Sequence, residues 1–203
     1  MTRPANDEPG FDDDEEPAEL ADLPELAAVS RFARFTKSVS WFAGVGLPLG
    51  DSEMQDARDY ADALGFPDAG VAGVADWEEA ESMAQSPDWN TAWWEAEEQL
   101  RAALTAEALE RMSEDDFMLA MTNVTAKASD MVHGAAAVAA ARAGVSDEAL
   151  IRAAAGAATQ ACYQAALVLA ADAGEDHAFA IKFRLFEAGR WPLGIVGNTL
   201  GIF

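Results

Sequence analysis

SEDDFMLAMTNVTAKASDMVHGAAAVAAARAGVSDEALIRAAAGAATQACYQAALVLAADA, residues 113 to 173, decides the fold. It reads as two long helices, Ser113 to Ala143 and Ser146 to Ala173, separated by the two-residue break Gly144-Val145. Alanine loses no side-chain entropy in a helix and buries no polar group, so a run this rich in it favours helix strongly. In the first helix Ser113 can cap the amides around Asp116. Met118, Met121, Val124, Ala128, Met131, Ala135 and Val138 then recur along one apolar line. In the second, Ser146 is placed to cap, Asp147 and Glu148 complement the dipole, and Val145 can staple against Leu150. A polar line steps by four through Glu148, Arg152, Gly156, Gln160 and Gln164, and nearly everything else is apolar or small. Small residues let helices approach closely, which predicts a central helix contacted on several sides. So short a break makes the two helices antiparallel neighbours.

Working upstream, SPDWNTAWWEAEEQLRAAL predicts a helix capped by Ser86 with Pro87 in its first turn, followed by a separate short turn from Thr105 to Met112. Trp89, Trp93, Ala96, Leu100 and Leu104 share a face, with Trp94 beside it. At helical spacing such a stripe is core or helix contact first and a ligand platform second. Shorter amphipathic helices are expected over Asp51 to Leu64 and Asp76 to Ala84. Another runs from Leu20 or Asp22 to about Phe42, carrying Arg31, Arg34 and Lys37 opposite its apolar side, cations expected to meet the chain's own acidic middle. GVGLPLG, after Phe42, breaks that helix and lacks the spacing of a dinucleotide loop. Residues 1 to 19 join three prolines to a run of acids, a composition expected of a flexible tail ahead of one helical domain, residues 20 to 203.

Downstream, residues 175 to 188 alternate like a strand through Phe179, Ile181, Phe183 and Leu185. Asp176 as cap and Gly189 as terminator tip the reading to helix. Residues 191 to 203 read as a β-hairpin turning at Gly197-Asn198. An isolated hairpin is marginal, so it must pack on the helices or pair with another chain, a route to a homo-oligomer. The expected fold is mainly α: a bundle of five to seven helices around the central antiparallel pair, with a small C-terminal hairpin.

The formal charge is −23 and very uneven. Residues 1 to 25 carry −9, residues 51 to 116 carry −16, and residues 117 to 173, which hold the central pair, only −1. Such a surface repels nucleic-acid phosphates and anionic lipid and attracts basic partners. The three lysines and nearly one-quarter alanine fit a soluble, cytoplasmic chain with no direct nucleic-acid or membrane binding. The uncharged run from Ala153 to Ala171 holds Thr159, Gln160, Tyr163 and Gln164, so it reads as a buried helix rather than a membrane span. One cysteine, Cys162, rules out an intrachain disulfide and suits a buried small hydrophobe.

Chemistry is sparse. Asp130 and His133 share a helix face, but a dinuclear carboxylate site needs a second such pair, and His177 directly after Asp176 has the wrong spacing. No metal, no cofactor and no catalytic residue is assigned, and an enzyme is the less favoured reading. The expectation is a non-catalytic acidic protein that binds a basic protein partner, with Trp89, Trp93, Trp94, Arg190 and Trp191 as candidate binding residues. Two alternatives stand beside it. One is a small-ligand protein or enzyme with a pocket drawn from Trp93, Trp94, His133, Tyr163 or Trp191, and the other is a nucleic-acid mimic with acids spaced like phosphates.

Overall fold

The computed structural model describes residues 24–203, so the expected acidic tail over residues 1–19 and the start of the first helix lie outside the described residues. Seven α-helices and three strands follow in order. They are α1 (Pro24–Phe35), α2 (Asp51–Ala63), β1 (Gly70–Gly73), α3 (Trp77–Ala84), α4 (Thr91–Arg111), α5 (Glu114–Arg142), α6 (Glu148–Ala170), α7 (Ala178–Glu187), β2 (Pro192–Val196) and β3 (Thr199–Ile202). The fold is mainly α with a C-terminal hairpin. The hairpin belongs to a three-stranded sheet ordered β1-β3-β2, in which β1 runs parallel and β2 antiparallel to β3.

The central pair forms as expected, and α5 and α6 pack against each other along their length. Ser113 caps α5, its Oγ accepting the Asp116 amide at 3.2 Å. The cap of α6 is Asp147, one residue later than expected, because its carboxylate accepts both the Ala149 and Leu150 amides at 2.7 and 2.9 Å. The apolar face of α5 differs from the expected line: Phe117, Met121, Val124, Ala128, Val132, Ala136 and Ala140 are buried, while Met118 and Val138 are more than half exposed. The expected line advances about 3.3 residues per step, so it precesses off the true face of a helix with 3.6 residues per turn. Helix α6 is central: α1, α4, α5 and α7 all pack on it, and from Ala161 to Ala170 nearly every residue is buried.

Other boundaries moved for local reasons. Helix α1 passes into a single 3-10 turn (Thr36–Ser38), stitched by Thr36 Oγ1 donating to the Ala33 carbonyl at 2.9 Å. The chain then turns with Phe42 in the left-handed region (φ 58°), so the expected helix to Phe42 stops four residues early. Helix α4 is capped by Asn90 rather than Ser86, and Trp89 lies before it. It continues unbroken through Thr105 to Arg111, where a second short turn was expected. Helix α7 is capped by His177, whose Nδ1 accepts the Phe179 amide at 3.1 Å, and Asp176 is not the cap.

Strand β1 was not expected at all. GVAG has neither alternation nor β-branched density, and it forms a strand because β3 offers it a ladder. Gly70 donates to the Asn198 carbonyl at 2.8 Å, Val74 donates to Ile202 at 2.8 Å, and Asn198 Nδ2 donates to the Asp68 carbonyl at 2.7 Å. On the far side, β2 is covered by the segment before α4: Trp89 bridges Val196, and the Asn90 amide donates to Ile195 at 2.9 Å. Both sides of the hairpin are thus occupied within the chain.

The largest apolar cluster is built on α5 and α6 and takes in the ring set Trp41, Phe42, Trp77, Phe179, Phe183, Phe186, Trp191 and Phe203. A second cluster lies between α2, α7 and the sheet. Full burial of side chains such as Phe179 and Phe186 contributes about 1.5–3 kcal/mol each. Cys162 is fully buried in the larger cluster, and burial pushes its thiol pKa up to about 12. A thiol held protonated and out of reach is a poor nucleophile. A maleimide or disulfide reagent is therefore expected to leave the folded protein unlabelled and to modify Cys162 at the ordinary thiol rate in denaturant, as read by intact mass. Stoichiometric labelling under native conditions would contradict the packing described.

Among the described residues no helix is long and apolar enough to cross a membrane.

Candidate functional site

Four helices each send one polar side chain into the interior at a single node. Glu97 on α4 is 5% exposed and accepts from Lys182 Nζ on α7 at 2.6 Å, from the Tyr60 phenol on α2, and weakly from Gln164 Nε2 on α6 at 3.5 Å. Lys182 Nζ also stands 5.9 Å from the centre of the Tyr60 ring. Burial first, and then the charge and hydrogen bond of Glu97, hold the Tyr60 hydroxyl well above its ordinary pKa of 10.0, so it donates as a neutral phenol. The Gln164 Oε1 is buried without a partner among the described residues. Stepping by four in a helix of 3.6 residues per turn precesses about 40° each time. The expected polar line of α6 therefore rotates inward by Gln164, which serves the core and not the surface.

The sequence candidates separate into different roles. Trp93 is 5% exposed and packs edge-on to Tyr60 at 4.8 Å, beside the node. Trp89 packs against the sheet at Gly194: that residue has φ 130°, and a Cβ there would fall 2.5 Å from the Trp89 ring, so the glycine is required by this close approach. Trp191 is 4% exposed, packed against Trp77 and Phe203. Arg190, also 4% exposed, is a clamp. It forms a two-point ion pair with Glu53 at 2.8 and 3.0 Å and donates to the Gly44, Leu47 and Pro48 carbonyls. Its hydrogen bonds hold the Glu53 carboxyl below its ordinary pKa of 4.5. Of the five, Trp94 alone presents a large exposed surface, 56%, on a helix turn that also carries Glu95 and Glu98.

Asp130, His133, Arg152 and Tyr163 border an open groove of about 580 Å³ between α5 and α6, with Thr125, Ser129, Ala155, Gly156, Thr159 and Gln160 completing its lining. His133 and Tyr163 share this groove, while Trp93 packs beside Tyr60 and Trp191 beside Trp77 and Phe203. No three or more His, Cys, Asp or Glu side chains are grouped to hold a metal ion among the described residues.

The acidic middle of the chain becomes α2, β1, α3 and α4. Three of its carboxylates are neutralised by cations from the C-terminal part: Glu97 by Lys182, Asp56 by Arg184 at 3.0 Å, and Glu53 by Arg190. Asp62, Asp68, Asp76, Glu78 and Glu95 remain exposed to solvent. The pairing of three late cations with three early acids was not legible, because nothing local in the sequence links positions 85 to 137 residues apart.

This is a mainly α protein with a buried ionic node, an arginine clamp and exposed carboxylates on α2, α3 and α4. No protein-family model, no curated protein and no solved structure matches the chain significantly.

Proposed function

We propose that the chain is a non-catalytic protein-binding module whose α2–α3–α4 surface receives a basic protein partner. The observation that supports this reading best is the exposure of carboxylates on α2, α3 and α4, with an exposed tryptophan, Trp94, next to Glu95 on α4. Carboxylates steer a cationic surface toward the site, and an indole face adds attraction for a lysine or arginine head. Of the −16 carried by residues 51 to 116, three charges are neutralised by Lys182, Arg184 and Arg190, and the remainder supplies the field.

Exposed charge is screened by salt: the Debye length shrinks from about 10 Å at 0.1 M to about 3 Å at 1 M. A lysine- and arginine-rich peptide titrated onto the protein is expected to bind at the lower salt and to lose at least tenfold in affinity at the higher. Neutralising Asp62, Asp76, Glu78 and Glu95 to their amides is expected to flatten that dependence, while amides at Asp147 and Glu148 leave it. No binding, or binding indifferent to salt, contradicts the proposal.

A second reading has its own supporting observation, the α5–α6 groove with its convergent Asp130, His133, Arg152 and Tyr163. It expects a small polar ligand to raise the melting temperature in the native chain and not in His133→Ala, and is lost if both respond alike.

A further inference from the structure

We infer that the outer edge of β1 is a strand-addition site that accepts an extended, basic segment of a partner as a fourth strand of the sheet. The ladder with β3 fixes which groups face outward. Gly70 and Val74 donate to Asn198 and Ile202, and in a parallel pair the inward donors alternate, so Gly70, Ala72 and Val74 turn toward β3. Val71 and Gly73 turn their N–H and C=O groups the other way. Strand β1 ends the strand order, and those groups meet no backbone partner among the described residues. The opposite edge, on β2, is closed by Trp89 and Asn90.

An exposed row of unpaired backbone groups is a template for another chain, and folded proteins ordinarily blunt it by keeping the strand very short, as β1 is at four residues, or with lysine, proline or a bulge inside it. Gly70, Val71, Ala72 and Gly73 include no lysine, proline or bulge, and three of the four are exposed. Their side chains are small enough for a second backbone to come close. One face is already backed: Val71 packs on the α2 cluster, and a Cβ at Gly73 would touch Leu49 at 3.5 Å. The segment that contains Leu49 also runs past Ala75, where a Cβ at Gly46 would lie 3.0 Å from the Ala75 carbonyl, and carries Leu47, 58% exposed.

Charge selects the occupant. Asp68 precedes the strand, Asp76 and Glu78 follow it, and Asp62 lies in the last turn of α2, the helix that packs beside it. A second copy paired edge to edge would bring these like charges together across a short ladder, which is unfavourable. An extended segment whose outward side chains are Lys or Arg meets the acids and supplies the missing backbone partners, so main-chain bonds give affinity and charge gives selection. The inference rests on the acidic-surface reading above and names the element and conformation through which that surface would act.

The test uses the full chain and a labelled peptide of about six residues alternating Val with Lys or Arg, the usual length of a strand. A matched peptide carries N-methyl groups on alternate amides, which blocks one hydrogen-bonding edge and keeps the charge. The parent peptide is expected to bind, and methylation on the pairing edge is expected to weaken it by tenfold or more. Val71→Pro is expected to do the same. Its amide faces away from β3, so proline costs no ladder bond in the fold, and an unchanged circular dichroism spectrum confirms this. If Val71→Pro unfolds, the methylated peptide against the native chain decides the matter alone. Salt-sensitive binding that ignores both methylation and Val71→Pro overturns strand addition and leaves the acidic-surface reading standing. Absence of any salt-sensitive binding overturns both. A concentration-dependent dimer that Val71→Pro abolishes would give the edge to a second copy and overturn the basic occupant.

Discussion

Glu97→Ala is expected to lower the unfolding free energy by about 3–5 kcal/mol, the cost of leaving a buried charge without its partner. The stranded charge is Lys182, whose ammonium is held at 2.6 Å by the missing carboxylate and whose side chain is 9% exposed. The Tyr60 phenol and the Gln164 amide lose their acceptor at the same moment. For a chain of this size the loss corresponds to a fall in melting temperature on the order of 10 °C. The double change Glu97→Leu with Lys182→Met removes the charges together. It is expected to recover most of the loss, because well-packed apolar replacements of a buried pair are often neutral. A denaturant series on the two variants checks this. If Glu97→Ala costs less than about 1 kcal/mol, or the double variant is no better than the single, the node does not carry the role assigned to it.

Arg190→Ala carries the second large effect, again about 3–5 kcal/mol. Its guanidinium joins the start of α2 to the Gly44–Pro48 turn, and Gly189, just before it, can have no side chain: φ is 81° and a Cβ would lie 2.7 Å from the Gly44 amide nitrogen. Arg190→Lys should rescue little, since an ammonium cannot span the Glu53 carboxylate and three carbonyls with one rigid fork. The pair also has a pH signature. The folded pKa of Glu53 is depressed, so its contribution is present above the ordinary value of 4.5 and is lost as pH falls through the lowered folded value. Unfolding measured across that acid range is expected to show a shallower pH dependence in Arg190→Ala than in the native chain. Because Arg190 is 4% exposed, the variant tests the clamp and not a contact with a partner.

Much of the architecture was legible because it is written in short-range pattern. Ser113 as cap, the alanine-rich periodicity of α5 and α6, Gly189 as the end of α7 and Gly197-Asn198 as a hairpin turn each depend on residues within a few positions of one another. What escaped depends on distant partners. Strand β1 exists only because Thr199 to Ile202 pairs with it, and the Glu97–Lys182 pair spans four helices' worth of chain. The clamp made by Arg190, a candidate binding residue by sequence, was not legible, because an arginine beside a tryptophan carries no local sign that five acceptor contacts await it elsewhere. The tryptophan stripe failed as a unit for another reason. Helix α4 starts at Thr91, so Trp89 never joined the helical face assigned to it and went to the sheet instead. Trp94, the neighbour set beside that stripe, is the one left to solvent.

Backbone hydrogen exchange with and without the basic peptide tests the central claim most directly, because it reports where on the chain a partner sits. The account predicts slowed exchange at Val71 and Gly73, with changes confined to α2, β1, α3 and the start of α4. Unchanged exchange there, with protection instead along Asp130, His133 and Tyr163, would contradict it.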